Sequence, residues 1–236
     1  MLELSQFEHL LRGSGIGLAL ALAIGLLRRR PWTFGAAVSA TFSIGVAAYL
    51  VCSEGSRSCA STPWLLPLLV MAIANPFLFW WAARAVFEDD FKPTARQFAI
   101  LVALEALALA SAYAPLPALL RALAIGSQAV ALGLVAHALY IAARGWRDDL
   151  VEERRRLRGA YLLLIGGYVF VVLAAEVWLH GQPPPAALAA LNVSGIAAIL
   201  LLSCWRFLTA DAAQSASFWP SPQPPNRAWA GPSTGR

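Results

Sequence analysis

Lysine is almost missing from this chain, with Lys92 the only one among 18 basic residues. That excludes a retinal protein, which needs a Schiff-base lysine deep in its last helix. Histidine is nearly as scarce: His9, His137 and His180 lie far apart and no His-Glu-x-x-His stretch occurs, so no metal or haem site is expected. Cys52, Cys59 and Cys204 are too few for a disulfide framework or a cysteine-based zinc site. Gly13-Ser14-Gly15 has the look of a nucleophile turn, but no histidine is placed to activate the serine, and small residues lining a helix face explain it better. Neither enzymatic activity nor a cofactor is expected. Charge is short as well. Only 13% of residues are charged against 59% hydrophobic, with mean hydropathy +0.62, which leaves too little polar surface to coat a soluble globule.

What the chain has instead is a series of apolar runs, each about long enough to cross ~30 Å of hydrocarbon. They predict seven spans: Leu10 to Leu27, Trp32 to Val51, Trp64 to Phe87, Phe98 to Tyr113, Ala118 to Ala143, Tyr161 to His180, and Ala186 to Leu208. Hydrocarbon offers no partner for backbone N–H and C=O groups, so each must be helical. The first run is expected to be retained rather than cleaved, because Glu3 and Glu8 precede it and Arg28, Arg29 and Arg30 follow, the reverse of a signal peptide. Proline adds detail: Ala114-Pro115-Leu116-Pro117 predicts a tight turn joining antiparallel neighbours, and Pro67 and Pro76 predict a kink in the third span. Tryptophans 32, 64, 80, 81, 146, 178 and 205 lie near span ends, as headgroup-level rings do.

Placement of the basic residues orients the array. With the amino terminus outside, fifteen lie on the inner side and three, Arg12, Arg57 and Arg121, on the outer. The expected fold is an all-α polytopic membrane protein, a seven-transmembrane helix bundle, N-out and C-in. Residues 1–209 make the bundle and residues 210–236 a disordered Pro/Ser/Ala-rich cytoplasmic tail. Arginines at the ends of apolar runs point to topology rather than to nucleic acid. Cys52 and Cys59 flank an outer loop. A disulfide there would contribute about 2 to 3 kcal/mol, and the alternative is two free thiols. Cys204 is expected simply to pack.

Polar groups inside apolar runs are the candidates for function. Glu105 and Glu176 fall within the fourth and sixth spans, where an acid costs on the order of 3 kcal/mol unless protonated, paired or hydrated. His137, Gln128, Asn75 and Asn192 lie on other helices and are able to join them in a polar interior that binds a small-molecule signal. The competing reading is interhelical glue at about 0.6 kcal/mol per contact. Two inner loops carry dense mixed charge. Asn75 to Phe91 ends an aromatic helix with Arg84 and then Glu88, Asp89 and Asp90, whose consecutive spacing does not suit paired-aspartate metal chemistry. Arg144 to Arg158 interleaves Arg147, Asp148, Asp149, Glu152, Glu153, Arg154, Arg155 and Arg156. There Trp146, Leu150, Leu157 and Tyr161 share a helical face and Glu152–Arg156 is a favourable i, i+4 pair, predicting a helical extension of the fifth or sixth span.

These two segments, NPFLFWWAARAVFEDDF and HALYIAARGWRDDLVEERRRLR, resemble the membrane domain of bacterial AraC-type transcriptional regulators anchored by amino-terminal transmembrane helices. The resemblance covers roughly Leu10 to Leu208. It implies a bacterial inner-membrane sensor whose polar interior detects a signal and whose two inner loops relay it. In that family a double helix-turn-helix follows, whereas the 28 residues after Leu208 are proline-rich and too few for one. The expectation is a truncated or stand-alone sensing module that does not itself bind nucleic acid, acts through a cytoplasmic protein partner, and is compatible with a homodimer. A small-molecule transporter or permease is the alternative, although no internal repeat is visible. An alkaline phosphatase reporter fused after Arg236 is expected to be inactive and a cytoplasmic reporter active; the opposite pattern would overturn the topology.

Overall fold

The computed structural model describes residues 2–28, 32–53, 56–88, 91–113, 117–145, 152–179 and 185–209. Within them every element is a helix: α1 (Leu2–Arg28), α2 (Phe34–Cys52), α3 (Ser56–Ser61), a 3-10 turn (Pro63–Leu65), α4 (Leu66–Ile73), α5 (Asn75–Phe87), α6 (Ala95–Tyr113), α7 (Pro117–Gly145), α8 (Glu152–Trp178) and α9 (Ala186–Thr209). Four stretches are long and apolar enough to cross a membrane: Gln6–Arg28, Phe34–Cys52, Ile125–Arg144 and Ala186–Thr209. Residues 63–87 make a fifth if the bent pair is one span, and Leu162–Trp178 is a shorter apolar helix.

Local sequence explains the boundaries. Thr33 caps α2, its extended backbone letting Oγ1 accept from the Ala36 N–H at 3.2 Å. The kink that Pro67 and Pro76 predict in the third span is present, next to Pro76. The span breaks at Ala74 with a bend of 42°. Pro76 lacks the N–H that would bond the Ala72 carbonyl, and its ring crowds that carbonyl, so the ladder restarts through Phe77 and Leu78, which both donate to Ala74 O. The charged segment from Glu152 extends α8, ten residues before its apolar part begins at Leu162. The turn at residues 114–116 and the tail at 210–236 lie outside the described residues.

α2 is central, packing on α1, α4 and α5; α1 also meets α9, α5 meets α7, and α7 meets α6 and α8. Alanines are prominent in the interior, with Ala19, Ala40, Ala48, Ala83, Ala138 and Ala142 each at most 1% exposed beside larger side chains such as Leu50, Phe79 and Val135, while Leu10, Val102, Val171, Leu191 and Leu201 face outward. The buried alanines suit helices that associate by close backbone approach. Trp32, Trp64, Trp178 and Trp205 are exposed, as ring anchors would be, but Trp81 is buried and packs edge-on against Phe77 and Phe98.

The tightest approach holds the elbow between α4 and α5 against α2. A Cβ on Gly45 would overlap Asn75 Oδ1 and come within 2.9 Å of the Met71 carbonyl oxygen, a backbone atom that cannot swing away. Gly45→Ala is therefore expected to cost about 1–3 kcal/mol, read as a lower thermal midpoint in detergent. Gly17→Ala, whose methyl meets nothing within 4 Å, should cost nothing. Equal midpoints for the two variants would show that the elbow is not held this way.

Candidate functional site

Two groups of described polar side chains lie at the two ends of α2. At its last turn, Tyr49 donates its hydroxyl proton to Glu176 Oε1 of α8 at 3.2 Å and accepts from Asn192 Nδ2 of α9 at 3.0 Å. Asn192 in turn presents two oxygens to the Tyr168 hydroxyl of α8, its backbone carbonyl at 2.6 Å and Oδ1 at 2.8 Å. One phenolic proton cannot serve both fully. The network thus runs from α8 through α9 and α2 back to α8, two turns further along. Gly195 makes room for it: a Cβ there would lie 2.6–2.8 Å from the Tyr168 ring and hydroxyl.

Beside this network, Arg12 of α1 grips the same end of α2. Its Nη1 donates to the Leu50 carbonyl at 2.6 Å and to Ser53 Oγ at 2.5 Å, and its Nη2 pairs with Glu8 at 2.6 Å. The Leu50 carbonyl is among the last four of the helix, which lack intrahelical partners and carry the negative end of the dipole, so a guanidinium is the apt cap. Cys52, the final residue of α2, is disulfide-bonded to Cys59 of α3, with Cα atoms 5.6 Å apart. Both are buried.

At the opposite end the contacts are aromatic and ionic. Arg84 pairs with Glu88 at 2.6 Å while its guanidinium lies over the rings of Phe91, at 4.3 Å, and Trp80, at 5.2 Å. Trp80 Nε1 donates to His137 Nδ1 of α7 at 2.9 Å, and because indole is only a donor, that nitrogen must be unprotonated in this arrangement. Phe34, the first residue of α2, touches the rings of Trp81 and Phe91. Arg84 and Glu88 of the first charged inner segment thus brace the rings that latch onto α2 and α7, Phe91 and Trp81 on Phe34 and Trp80 on His137. Asp89, Asp90, Arg147, Asp148 and Asp149 lie outside the described residues, as do the side chains of Glu152, Glu153, Arg154, Arg155 and Arg156 at the start of α8.

Of the six residues that sequence places in one polar interior, the structure brings together two, Glu176 and Asn192. Glu105 lies on α6 with Oε2 buried and unbonded; His137 is exposed at the latch; Asn75 Oδ1, also buried and unbonded, faces Gly45; Gln128 is half-buried on α7 with no described contact. Tyr49, Tyr168 and the capping role of Arg12 are not among the features that sequence singles out. The i, i+4 spacing of Glu8 and Arg12 was a visible sign of their pairing; the tyrosines carried none. An open furrow of about 450 Å3 lies between α1 and α9, but its Ser14 and Ser194 donate their hydroxyls to the Leu11 and Ala190 carbonyls, so it presents mainly apolar surface. Among the described residues no group of three metal-ligating side chains occurs.

Compared with protein families, with curated proteins and with solved structures, the chain matches none.

Arg12→Ala would leave Glu8 and the Leu50 carbonyl without their donors. A loss of about 2–3 kcal/mol is expected, with Arg12→Lys intermediate because a single ammonium cannot reach all three acceptors. Chemical denaturation in detergent micelles measures it, and an unchanged midpoint for Arg12→Ala would dismiss the cap.

Proposed function

We propose that this chain is a signal-sensing module of a bacterial inner membrane, with seven spans, its amino terminus outside and its carboxyl terminus in the cytoplasm. The Tyr49–Glu176–Asn192–Tyr168 network is the sensing site, and the Arg84 latch is the point from which its state is passed on. The observation that carries this reading is that one helix, α2, ends in the network and begins at the latch. Its 19 residues are about 28 Å long, a full hydrocarbon thickness. A change in the network that shifts α2 along its axis moves Phe34 against Trp81 and Phe91.

Several features support the membrane placement: the four apolar helices, the bent pair, the alternation of basic residues in sequence, and the buried alanines. The resemblance of the two charged segments to membrane-anchored AraC-type regulators supports a role in transcriptional signalling, exercised through a cytoplasmic partner, with a homodimer as a compatible assembly. A permease is the second reading. It is favoured by the break at Ala74 within an apolar pair of helices, beside a buried unbonded Asn75 oxygen, since transporters place interrupted helices at their substrate sites. Uptake into proteoliposomes separates the two.

The sensing role is tested on the purified full chain with a panel of small molecules, ions and pH values. At least one condition should raise the thermal midpoint and also change backbone hydrogen exchange over residues 80–98. Tyr49→Phe keeps the ring but removes the hydroxyl that sets how α2 is turned, and should abolish the change at residues 80–98. A panel that moves neither quantity, or a change confined to the Tyr49 end, rejects sensing.

A further inference from the structure

Resting on the reading of the Tyr49 network as the sensing site, we infer that its ligand is a small protonated amine, held by the Glu176 carboxylate between α8 and α9. The inference follows from counting donors and acceptors. Tyr49 spends its proton on Glu176 Oε1, Tyr168 spends its own on Asn192, and one Asn192 amide hydrogen goes to the Tyr49 oxygen. One amide N–H is left over as a donor. Left over as acceptor are the lone pairs of Glu176 Oε2, which is neither bonded to the described residues nor fully buried; the Asn192 carbonyl belongs to the ladder of α9 and Asn192 Oδ1 already meets Tyr168. The surplus is of acceptors, so an anion has almost nothing to bind it.

Charge points the same way. Among the described residues, the groups that share the network with Glu176, namely Tyr49, Asn192 and Tyr168, carry no positive charge, and the cation at the same end of α2, Arg12, is paired with Glu8 and caps α2. An ionised carboxylate at this depth is stabilised by a counter-charge, protonation being the alternative when none is bound. A primary ammonium supplies the charge and three N–H donors at once. Glu176 and Asn192 are each within 3.2 Å of the same Tyr49 oxygen, so a single ammonium is able to bridge the two helices, α8 and α9, that they belong to. Bridging them would draw α9 toward α8 and load the Tyr49 bond, which is how occupancy would reach α2.

The experiment uses the full-length protein in lipid nanodiscs at constant ionic strength and pH, with four probes: butylammonium chloride, its neutral counterpart butanol, tetramethylammonium chloride and sodium chloride. Butylammonium alone is expected to raise the thermal midpoint in a saturable manner. Glu176→Gln keeps an oxygen for Tyr49 yet removes the charge, and should weaken the apparent affinity about tenfold to a hundredfold; Glu176→Asp should recover part of it. Equal responses to butylammonium and tetramethylammonium would overturn the role of N–H donors, and a sodium response without a butylammonium response would overturn the ligand class. So would an undiminished response in Glu176→Gln, or a panel hit from another class with butylammonium silent, while leaving sensing intact. Butylammonium binding that leaves exchange at residues 80–98 unchanged would keep the ligand and reject the sensor.

Discussion

The hydroxyl of Tyr49 is the contact on which the arrangement of α2, α8 and α9 depends. It gives its proton to Glu176 and takes one from Asn192, so one oxygen satisfies a donor and an acceptor from two other helices. In an apolar surrounding each of those groups would otherwise be unpaired, and leaving a buried polar atom unmatched costs more than its bond contributes. The same hydroxyl therefore fixes the rotation of α2: a turn of the helix away from α8 and α9 strands three polar groups at once. Apolar packing does not specify rotation nearly so well, because alanines slide past one another at little cost.

That rotational pin gives meaning to the rest of α2. Gly45, one turn before Tyr49, accepts the elbow of α4 and α5, while Leu50, one residue after it, offers the carbonyl that Arg12 grips. Consecutive faces of one short stretch are thus committed to α1, to the α4–α5 elbow and to the α8–α9 pair. Such a stretch cannot move on one side without disturbing the others, which is the condition for a discrete switch rather than a gradual one. The disulfide from Cys52 to Cys59 adds a covalent tie at the end of that stretch, limiting how far the helix can fray.

Much of this was visible in sequence, and the parts that were not share a cause. Apolar periodicity located all the long helices, and the proline at 76 marked the place where the third run bends. Glu176 and Asn192 stood out because polar groups in apolar runs are costly anywhere. Which of those groups meet depends on the rotation of each helix about its axis, and an apolar run says little about rotation when lipid and protein faces are equally hydrophobic. Glu105 and His137 were therefore grouped with Glu176 although they lie on α6 and at the far end of α7. Tyr49 and Tyr168 were passed over because an amphipathic ring in an apolar run reads as packing.

The two ends of α2 also differ in the kind of interaction they use, and the difference suits a division of labour. The Tyr49 end relies on hydrogen bonds with fixed directions and a surplus of acceptors, so adding one donor-bearing cation changes which bonds can be made. The Arg84 end relies on a guanidinium lying over two rings and on tilted aromatic contacts, whose energy varies softly with position. A directional site is selective, whereas a stack of rings tolerates small displacements without breaking. In the proposed sensing role, the rigid helix that joins the two would convert a choice among hydrogen bonds at one end into a small shift of Phe34 against Trp81 and Phe91 at the other. Beside those rings lies the charged pair of Arg84 and Glu88.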